Sequence, residues 1–418
     1  MGILSIFRPK AEPEAKSRPL ASVGQSFTGL DDPDLLAYMR GGSESASGAY
    51  VTAAGALQNM ALLRCVTLIS ESIGMLPLNL MERGEEKRHA TEHPVYRLLK
   101  NKPNNWQTPY EFKSQMQMAV MLHGNAYARV IRSMGRIIRL VPMEPTRVTP
   151  EMDDAWSLTY KYTRKDGGVI VLPASDVFHL RDLTEDGIVG LSRVKLARDA
   201  IGIALQAERA AARLFKNGVM AGGALSHPEK LSDAAYSKLQ ESVNEKKGAD
   251  KAGEWFILEE GMKAEQWATT AADAQHIENR NHQIEEVARA FGVPRPLLMM
   301  DDTSWGSGIE QLGIFFVQYA LQHWFTVWEQ AAARTMLTDA EQITLHAKFN
   351  EHALLRGTLK DQADFFTKAL GSGGHASWMR QNEVRETLDM PKADDEGADK
   401  LYGPASLQRT ANEPTQTP

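Results

Sequence analysis

The side chains able to do chemistry in this sequence are scattered rather than grouped. Cys65 is the single cysteine, so no internal disulfide can form and a reducing compartment is expected. It lies in the apolar run 62–69, where a thiol reads as a small buried hydrophobe rather than a nucleophile. His89 and His93 stand four apart, and His346 and His352 six apart. Without a further ligand at metal-binding spacing they read as separate surface or core histidines. Asp301 and Asp302 are adjacent and could hold a cation, but an exposed acidic loop is the plainer reading. Gly306-Ser307-Gly308 lacks the spacing and the preceding strand of a nucleophile elbow. The chain has no phosphate-binding G-x-x-x-x-G-K-[ST] loop, no H-E-x-x-H and no paired cysteines. No redox, nucleotide or metal cofactor is therefore expected. A metal-dependent nuclease would need carboxylates converging on metal ions. With 53 Asp and Glu in the chain, their presence alone discriminates nothing.

The charge balance bears on partners. A chain of 418 residues with 47 Lys and Arg carries a formal net charge of −6, which argues against gripping nucleic acid by a general positive charge. It does not argue against letting DNA slide past. The basic residues are spread along the chain, with one local cluster of Arg129, Arg132, Arg136 and Arg139. A solvated sheet face is the plain reading of that cluster, and a charged subunit interface or DNA contact is the sharper one. Lys246, Lys247 and Lys251 fall in a short polar loop, again solvent-facing unless a partner docks there.

The elements that must position these residues follow from periodicity and breakers. Residues 1–50 read as a flexible arm, with Pro9, Pro13, Pro19 and the small polar run 41–48; residues 403–418 read the same way. A helix is expected over 54–75 and stops at Pro77, followed by a strand over 78–82. Two more helices follow at 93–100 and 109–122. Pro109 suits a first helical position and Gly124 a C-cap. The period then changes to two: strands at 126–132 and 136–141, 156–163 and 169–172, and 177–180. Residues 54–185 thus read as one α+β domain. A long helix over 192–216 repeats Ala197, Ala200, Ala204, Ala207 and Ala211 on one face. A strand at 224–226, a helix from Ser232 to about Lys246, and a hairpin of 254–258 with 262–268 make a small α/β unit. The helix after it presents Ile277, Ile284, Val287, Ala288 and Phe291, and ends at Gly292 and Pro294. After the loop 299–308 comes a broadly apolar helix over 309–337, then helices at 349–370 and 380–388. The apolar segment 312–328 contains Gln318, Gln322 and His323 and is short for a membrane span. It reads as a helix buried on most sides, which a subunit interface would explain.

On specific stretches the chain resembles the phage portal family, in its siphophage-type branch. These are HPVYRLLKNKPNNWQTPYEF (93–112), LHGNAYARVIR (122–132), GRIIRLVPMEPTRV (135–148), VFHLRDLTEDGIVGLSRVKLA (177–197), LFKNG (214–218) and ARAFGVPRPLL (288–298) followed by Glu310-Gln311. Each is weak alone; their order and spacing make them specific. The likeness covers roughly 55–340 and weakens towards 390. It implies the portal fold, α+β in class: an outer wing over 51–190, a first stem helix over 191–218, a clip over 219–272 and a second stem helix over 273–293. Beyond these it implies a tunnel loop over 294–308, a long wing helix over 309–339 and a helical crown over 340–402.

The resemblance further implies a non-enzymatic ring of twelve copies at one capsid vertex of the virion, assembled in the bacterial host cytoplasm. Its partners would be double-stranded DNA, the large terminase, the major capsid protein and the head-tail connector, with no membrane. The tunnel loop would contribute Met299, Met300, Asp301, Asp302, Thr303, Ser304, Trp305, Gly306, Ser307 and Gly308 to the DNA channel. Glu241, Lys246, Lys247, Asp250 and Lys251 of the clip would meet the motor and then the connector. The stretch 299–308 of that loop has no Lys or Arg, as suits a channel that should hold a sliding polyanion weakly, since each neutralised phosphate adds salt-dependent affinity. Met299 and Met300 read equally as pore-lining or as packed within the subunit. Other readings are a different phage head or connector protein or, from another class, a metal-dependent nuclease or maturation protease.

Overall fold

A computed structural model describes residues 42–84, 88–217, 223–226, 232–245, 263–266, 270–300, 307–351, 359–372, 375–387 and 390–403. It begins with a two-stranded ribbon, β1 (Ser43–Glu44) and β2 (Tyr50–Val51), then α1 (Ala53–Ala56) and α2 (Met60–Met75). Asn59 caps α2 by accepting from Leu62 N at 3.0 Å. The helix buries Leu62, Cys65, Val66, Ile69 and Ile73 on one face. Burying each such aliphatic side chain stabilises the fold by roughly 1.5–3 kcal/mol. Burial also pushes the Cys65 thiol up to about 12, so it is the inert hydrophobe its surroundings suggested.

β3 (Leu78–Glu82) leads to α3 (Pro94–Lys100) and α4 (Pro109–His123). Thr108 and Glu111 form a reciprocal capping box on α4, with Pro109 in the first turn. The box holds the Glu111 carboxyl below its ordinary range through hydrogen bonds from Thr108. Gly124 ends the helix in the left-handed region, φ 78°, against the backbone of Gly190. A Cβ there would sit 2.3 Å from Gly190 O, so only glycine fits.

Two three-stranded antiparallel sheets follow. The first has the order β5 (Arg136–Met143), β4 (Asn125–Ser133), β9 (Val177–Arg181); the second is β6 (Val148–Met152), β7 (Leu158–Thr163), β8 (Val169–Pro173). The expected hairpins are present. Met134 (φ 49°) and Gly135 (φ 77°) form the β4–β5 turn, the positive-φ pair that two-residue hairpins favour. The strand β6 was not expected; Pro145 and Pro150 obscure its period. The inner face of the first sheet packs on α4, which in turn packs on α2. The sheet's outer face joins the second sheet through Tyr127, Met143, Val148, Tyr160, Leu172 and Val177.

α5 (Arg193–Leu196) and α6 (Arg198–Asn217) replace the single helix expected over 192–216. Beyond α6 come β10 (Gly223–Ser226), α7 (Asp233–Glu245), β11 (Lys263–Gln266) and α8 (Thr270–Phe291). β10 pairs antiparallel with β11. The first half of the expected hairpin, 254–258, lies outside the described residues. The apolar helix is α9 (Ser307–Phe316) and α10 (Gln322–Met336), joined by a π-helical turn, Val317–Leu321. Then come α11 (Asp339–Thr344), β12 (Leu345–Phe349), α12 (Leu359–Ala369) and α13 (Gln381–Thr387).

Two expectations need correction. The segment from 340 is not helical throughout, because β12 pairs with β3, a partner more than 260 residues earlier. Five residues display too little periodicity to announce a strand, and β3 needed an edge partner that only the fold supplies. Nor does the arm extend to residue 50. Ala49 and Val51 are buried, Ala46 N donates to Asp199 Oδ1 at 2.9 Å, and Ser45 Oγ lies where a Cβ on Gly202 would be. The small polar residues that suggested disorder are what allow this ribbon to lie close against α6. Residues 1–41 and 404–418 lie outside the described residues.

The main core gathers around Trp328. Its ring meets Phe112, Phe178 and Phe349, and its Nε1 donates to Gln117 Oε1 at 2.9 Å.

Candidate functional site

The loop after α8 is built on a fixed base. Val293 N donates to Ala288 O at 3.2 Å and Gly292 N to Arg289 O at 3.3 Å, with Gly292 at φ 70°. This is the double bond of a Schellman cap, and the buried pair Ala288 and Val293 supplies its apolar contact. Pro294 prevents further helix. A 3-10 turn, Arg295–Leu298, carries the chain to Met299, which is held left-handed at φ 58°, ψ 37°. Arg64 of α2 donates Nε–H to Leu297 O at 3.1 Å, and Arg295 is ion-paired with Glu285 of α8. The turn is thus tied to two helices.

Met299 is 83% exposed, which excludes packing of its side chain within the subunit; Met300 is partly buried. Asp301, Asp302, Thr303, Ser304, Trp305 and Gly306 lie outside the described residues. Ser307 and Gly308 open α9 rather than ending the loop. Of the clip residues, Glu241 is exposed on α7, whereas Lys246, Lys247, Asp250 and Lys251 lie outside the described residues. The two predicted sites are not brought together. β11 ends just before α8 starts and the loop begins where α8 ends, so the 22 residues of α8 separate them, a length of about 33 Å.

Sequence reasoning missed the junction behind this loop. Arg193, at the start of α5, donates Nε–H to Asp182 Oδ2 at 2.5 Å and Nη2–H to Oδ1 at 2.9 Å. It also donates to Ala290 O, one of the terminal carbonyls of α8, at 3.2 Å, and its guanidinium lies 5.2 Å from the Trp324 ring centre. One side chain therefore links the loop after β9, the end of α8 and the long helix beside its π-helical turn. His323 also faces Arg193, and burial, then the nearby cation, holds its imidazole down to about 4. Both Asp182 and Arg193 sit in the 177–197 motif, but nothing in that string marks them as a pair.

A second buried network joins the two sheets. His179 donates Nε2–H to Asn125 Oδ1 at 3.0 Å; its Nδ1 accepts from Tyr160 OH at 3.0 Å and from Arg181 Nε at 3.1 Å. That pattern demands the neutral ring. Burial, then the charges of Arg181 and Arg334, pushes its pKa down to about 2. Arg334 also donates to His179 O at 2.8 Å. The arrangement clamps strands and offers no opening to a substrate. His93 pairs with Glu341 at 3.1 Å, joining α3 to α11, and His89 stacks edge-on with Tyr96. Among the described residues no three His, Cys, Asp or Glu converge as metal ligands, and no helix is long and apolar enough to cross a membrane.

Comparison with known proteins gives a consistent result. The family model described as phage portal protein matches residues 60–389. The portal protein of Enterobacteria phage HK97 is 35% identical over 343 residues, covering 80% of this chain and 79% of that protein. Among solved structures, the neck of an empty gene transfer agent (GTA) particle computed with C6 symmetry has a TM-score of 0.59 at 21% identity. It covers 86% of this chain and 99% of the neck chain. The neck of a native GTA particle computed with C12 symmetry gives 0.54 at 21% identity, covering 81% and 91%. The structural neighbours share the mixed helix-and-sheet fold, and with the family model spanning the two sheets, both long helices and the loop between α8 and α9, this chain belongs to the phage portal protein family.

Proposed function

We propose that twelve copies of this chain form a non-enzymatic ring at one capsid vertex. The ring is the passage for double-stranded DNA during packaging and ejection, and it docks first the large terminase and later the head-tail connector. The observation that carries this reading is the surface of α9 and the π-helical turn. Phe315 and Tyr319 stack at 4.6 Å between ring centres, yet they are 47% and 62% exposed, and Ile314 beside them is 37% exposed. An apolar strip on a long helix requires a neighbour, and a heterologous contact repeated around an axis closes into a ring. The twelvefold and sixfold symmetries of the related particle necks fit that arrangement.

On this reading α6 and α8 are the stem, the β10–α7–β11 unit is the clip that meets the motor, and the residues from Met299 to Gly308 line the narrowest part of the channel. A loop without Lys or Arg holds phosphate weakly and permits sliding. The major capsid protein surrounds the ring.

Native mass spectrometry of the purified chain, with negative-stain class averages, tests the proposal. Rings of about twelve or thirteen subunits with an open centre support it; a compact dimer with a closed centre overturns it. Replacing 299–308 by a shorter Gly/Ser linker should leave rings intact and impair DNA packaging or retention. Normal packaging by that variant removes the loop from the channel.

A further inference from the structure

Between residues 93 and 143 the chain has eight Lys and Arg against one acidic residue, Glu111, although acidic residues outnumber basic ones overall. Two of the eight are used by the fold. Lys113 is buried on α4 and donates to Leu76 O, and Arg132 donates to Ser175 O at 3.1 Å and Thr335 O at 3.0 Å. The other six are Arg97, Lys100, Lys102, Arg129, Arg136 and Arg139, and all are exposed.

The fold gathers them around one edge. β5 is the outer strand of its sheet. Near the hairpin tip, a groove of about 340 Å³ is lined by His93 and Pro94 at the start of α3 together with Arg136 and Ile137 of β5; Glu92 and Glu341, the latter paired with His93, also line it, so the cations away from the tip carry the excess charge. Beyond the other end of α3, Leu140 N donates to Pro103 O at 2.8 Å, and Asn104 Nδ2 to Leu140 O at 3.0 Å. α3 therefore runs alongside β5 from its tip to its middle. It buries Val95, Leu98 and Leu99 and leaves Arg97 and Lys100 outward. Lys102 and Arg139 each precede one partner of the Pro103–Leu140 bond, so they flank the same point. Ile131 faces Arg139 across the sheet and Arg129 faces Val141, which puts the two arginines diagonally on one face.

These cations are also unsatisfied. Elsewhere surface cations find carboxylates, as in Arg147–Glu144 and Lys161–Glu151. Among the described residues no carboxylate pairs with any of the six, and like charges held together without counter-charge cost stability. Trp106, 62% exposed, lies in the turn that follows Lys102.

We infer that this α3–β5 edge is a second DNA-binding surface, outside the channel, which holds the phosphate backbone of duplex DNA without reading sequence. Arginine and lysine at spaced positions on a rigid edge meet successive phosphates, and five of the six, all but Lys102, lie within α3, β4 or β5. The charge contrast with the loop around Met299 is functional: DNA slides where cations are absent and is retained where they are clustered. The inference rests on the portal reading only for the presence of DNA.

The test is salt-dependent binding of the full-length chain to a closed circular DNA, which has no end to thread through a ring. Six phosphate contacts give a slope of log K against log salt near −5, at about −0.9 per contact. R129Q/R139Q should reduce the magnitude of the slope by about 2 and R97Q/K100Q/K102Q by about 3. Two variants on different elements guard against misfolding of one. Failure of the wild type to bind the circle overturns the inference, as does binding by both variants with the wild-type affinity and salt slope. So does unchanged DNA binding with loss of incorporation into particles, which would assign the edge to an acidic protein surface. Native mass spectrometry of the same samples reads ring formation separately, so failure here is distinguishable from failure of the portal assignment.

Discussion

Lowering the pH should weaken the joint between the two sheets through His179 in particular. The side chain is 1% exposed and its folded pKa is about 2, whereas an unfolded histidine titrates near 6.5. A pKa depressed on folding gives stability that is present above pH 6.5 and lost as pH falls, because the unfolded chain takes up a proton that the folded chain refuses. Between pH 7 and pH 5 the loss comes to about 2 kcal/mol, at roughly 1.4 kcal/mol per unit below 6.5. Other groups titrate in the same range, His123 and His323 among them, so wild type alone does not isolate the effect. The comparison is with His179→Gln, which retains hydrogen-bonding capacity and cannot titrate. Urea unfolding at pH 7 and pH 5, followed by fluorescence, gives the pH-dependent loss for each protein. The wild type should lose about 2 kcal/mol more than the variant. An equal loss in both refutes a neutral, buried His179.

Gly124→Ala should destabilise by about 2 kcal/mol or more, since the added methyl meets Gly190 O at 2.3 Å and φ is 78°; thermal unfolding measures it. Arg193→Ala leaves the Asp182 carboxylate, only 4% exposed, without its partner. A cost of about 3–5 kcal/mol is expected, with faster hydrogen exchange at the end of α8, whose Ala290 carbonyl loses its donor. Unchanged exchange there would exclude Arg193 as the link between α8 and the sheets. Trp328→Ala removes the centre of the aromatic core and the bond to Gln117, at about 3–5 kcal/mol, read by chemical denaturation.

Much of the fold was legible in local pattern. Proline and glycine at 77, 109, 124 and 292 bounded helices within a residue or two, because these residues act on the backbone whatever surrounds them. The change of period after Gly124 marked the strands, and the ordered motifs from 93 to 298 identified the family. The absence of Lys and Arg from 299–308, and the run of cations from Arg97 to Arg139, are composition and needed no structure.

Other features depend on partners distant in sequence. β12 is a strand only because β3 lies beside it. His179 is neutral only because Asn125, Tyr160 and Arg181 converge on it within an apolar layer. Arg193 reads as an ordinary helix-start cation until Asp182, Ala290 and Trp324 surround it. The six cations become one surface only when Pro103 bonds to Leu140 and holds α3 along β5. Backbone propensity is a property of neighbours in sequence and can be read there. Burial, ion pairing and charge density are properties of neighbours in space, and they arise only when the chain closes on itself.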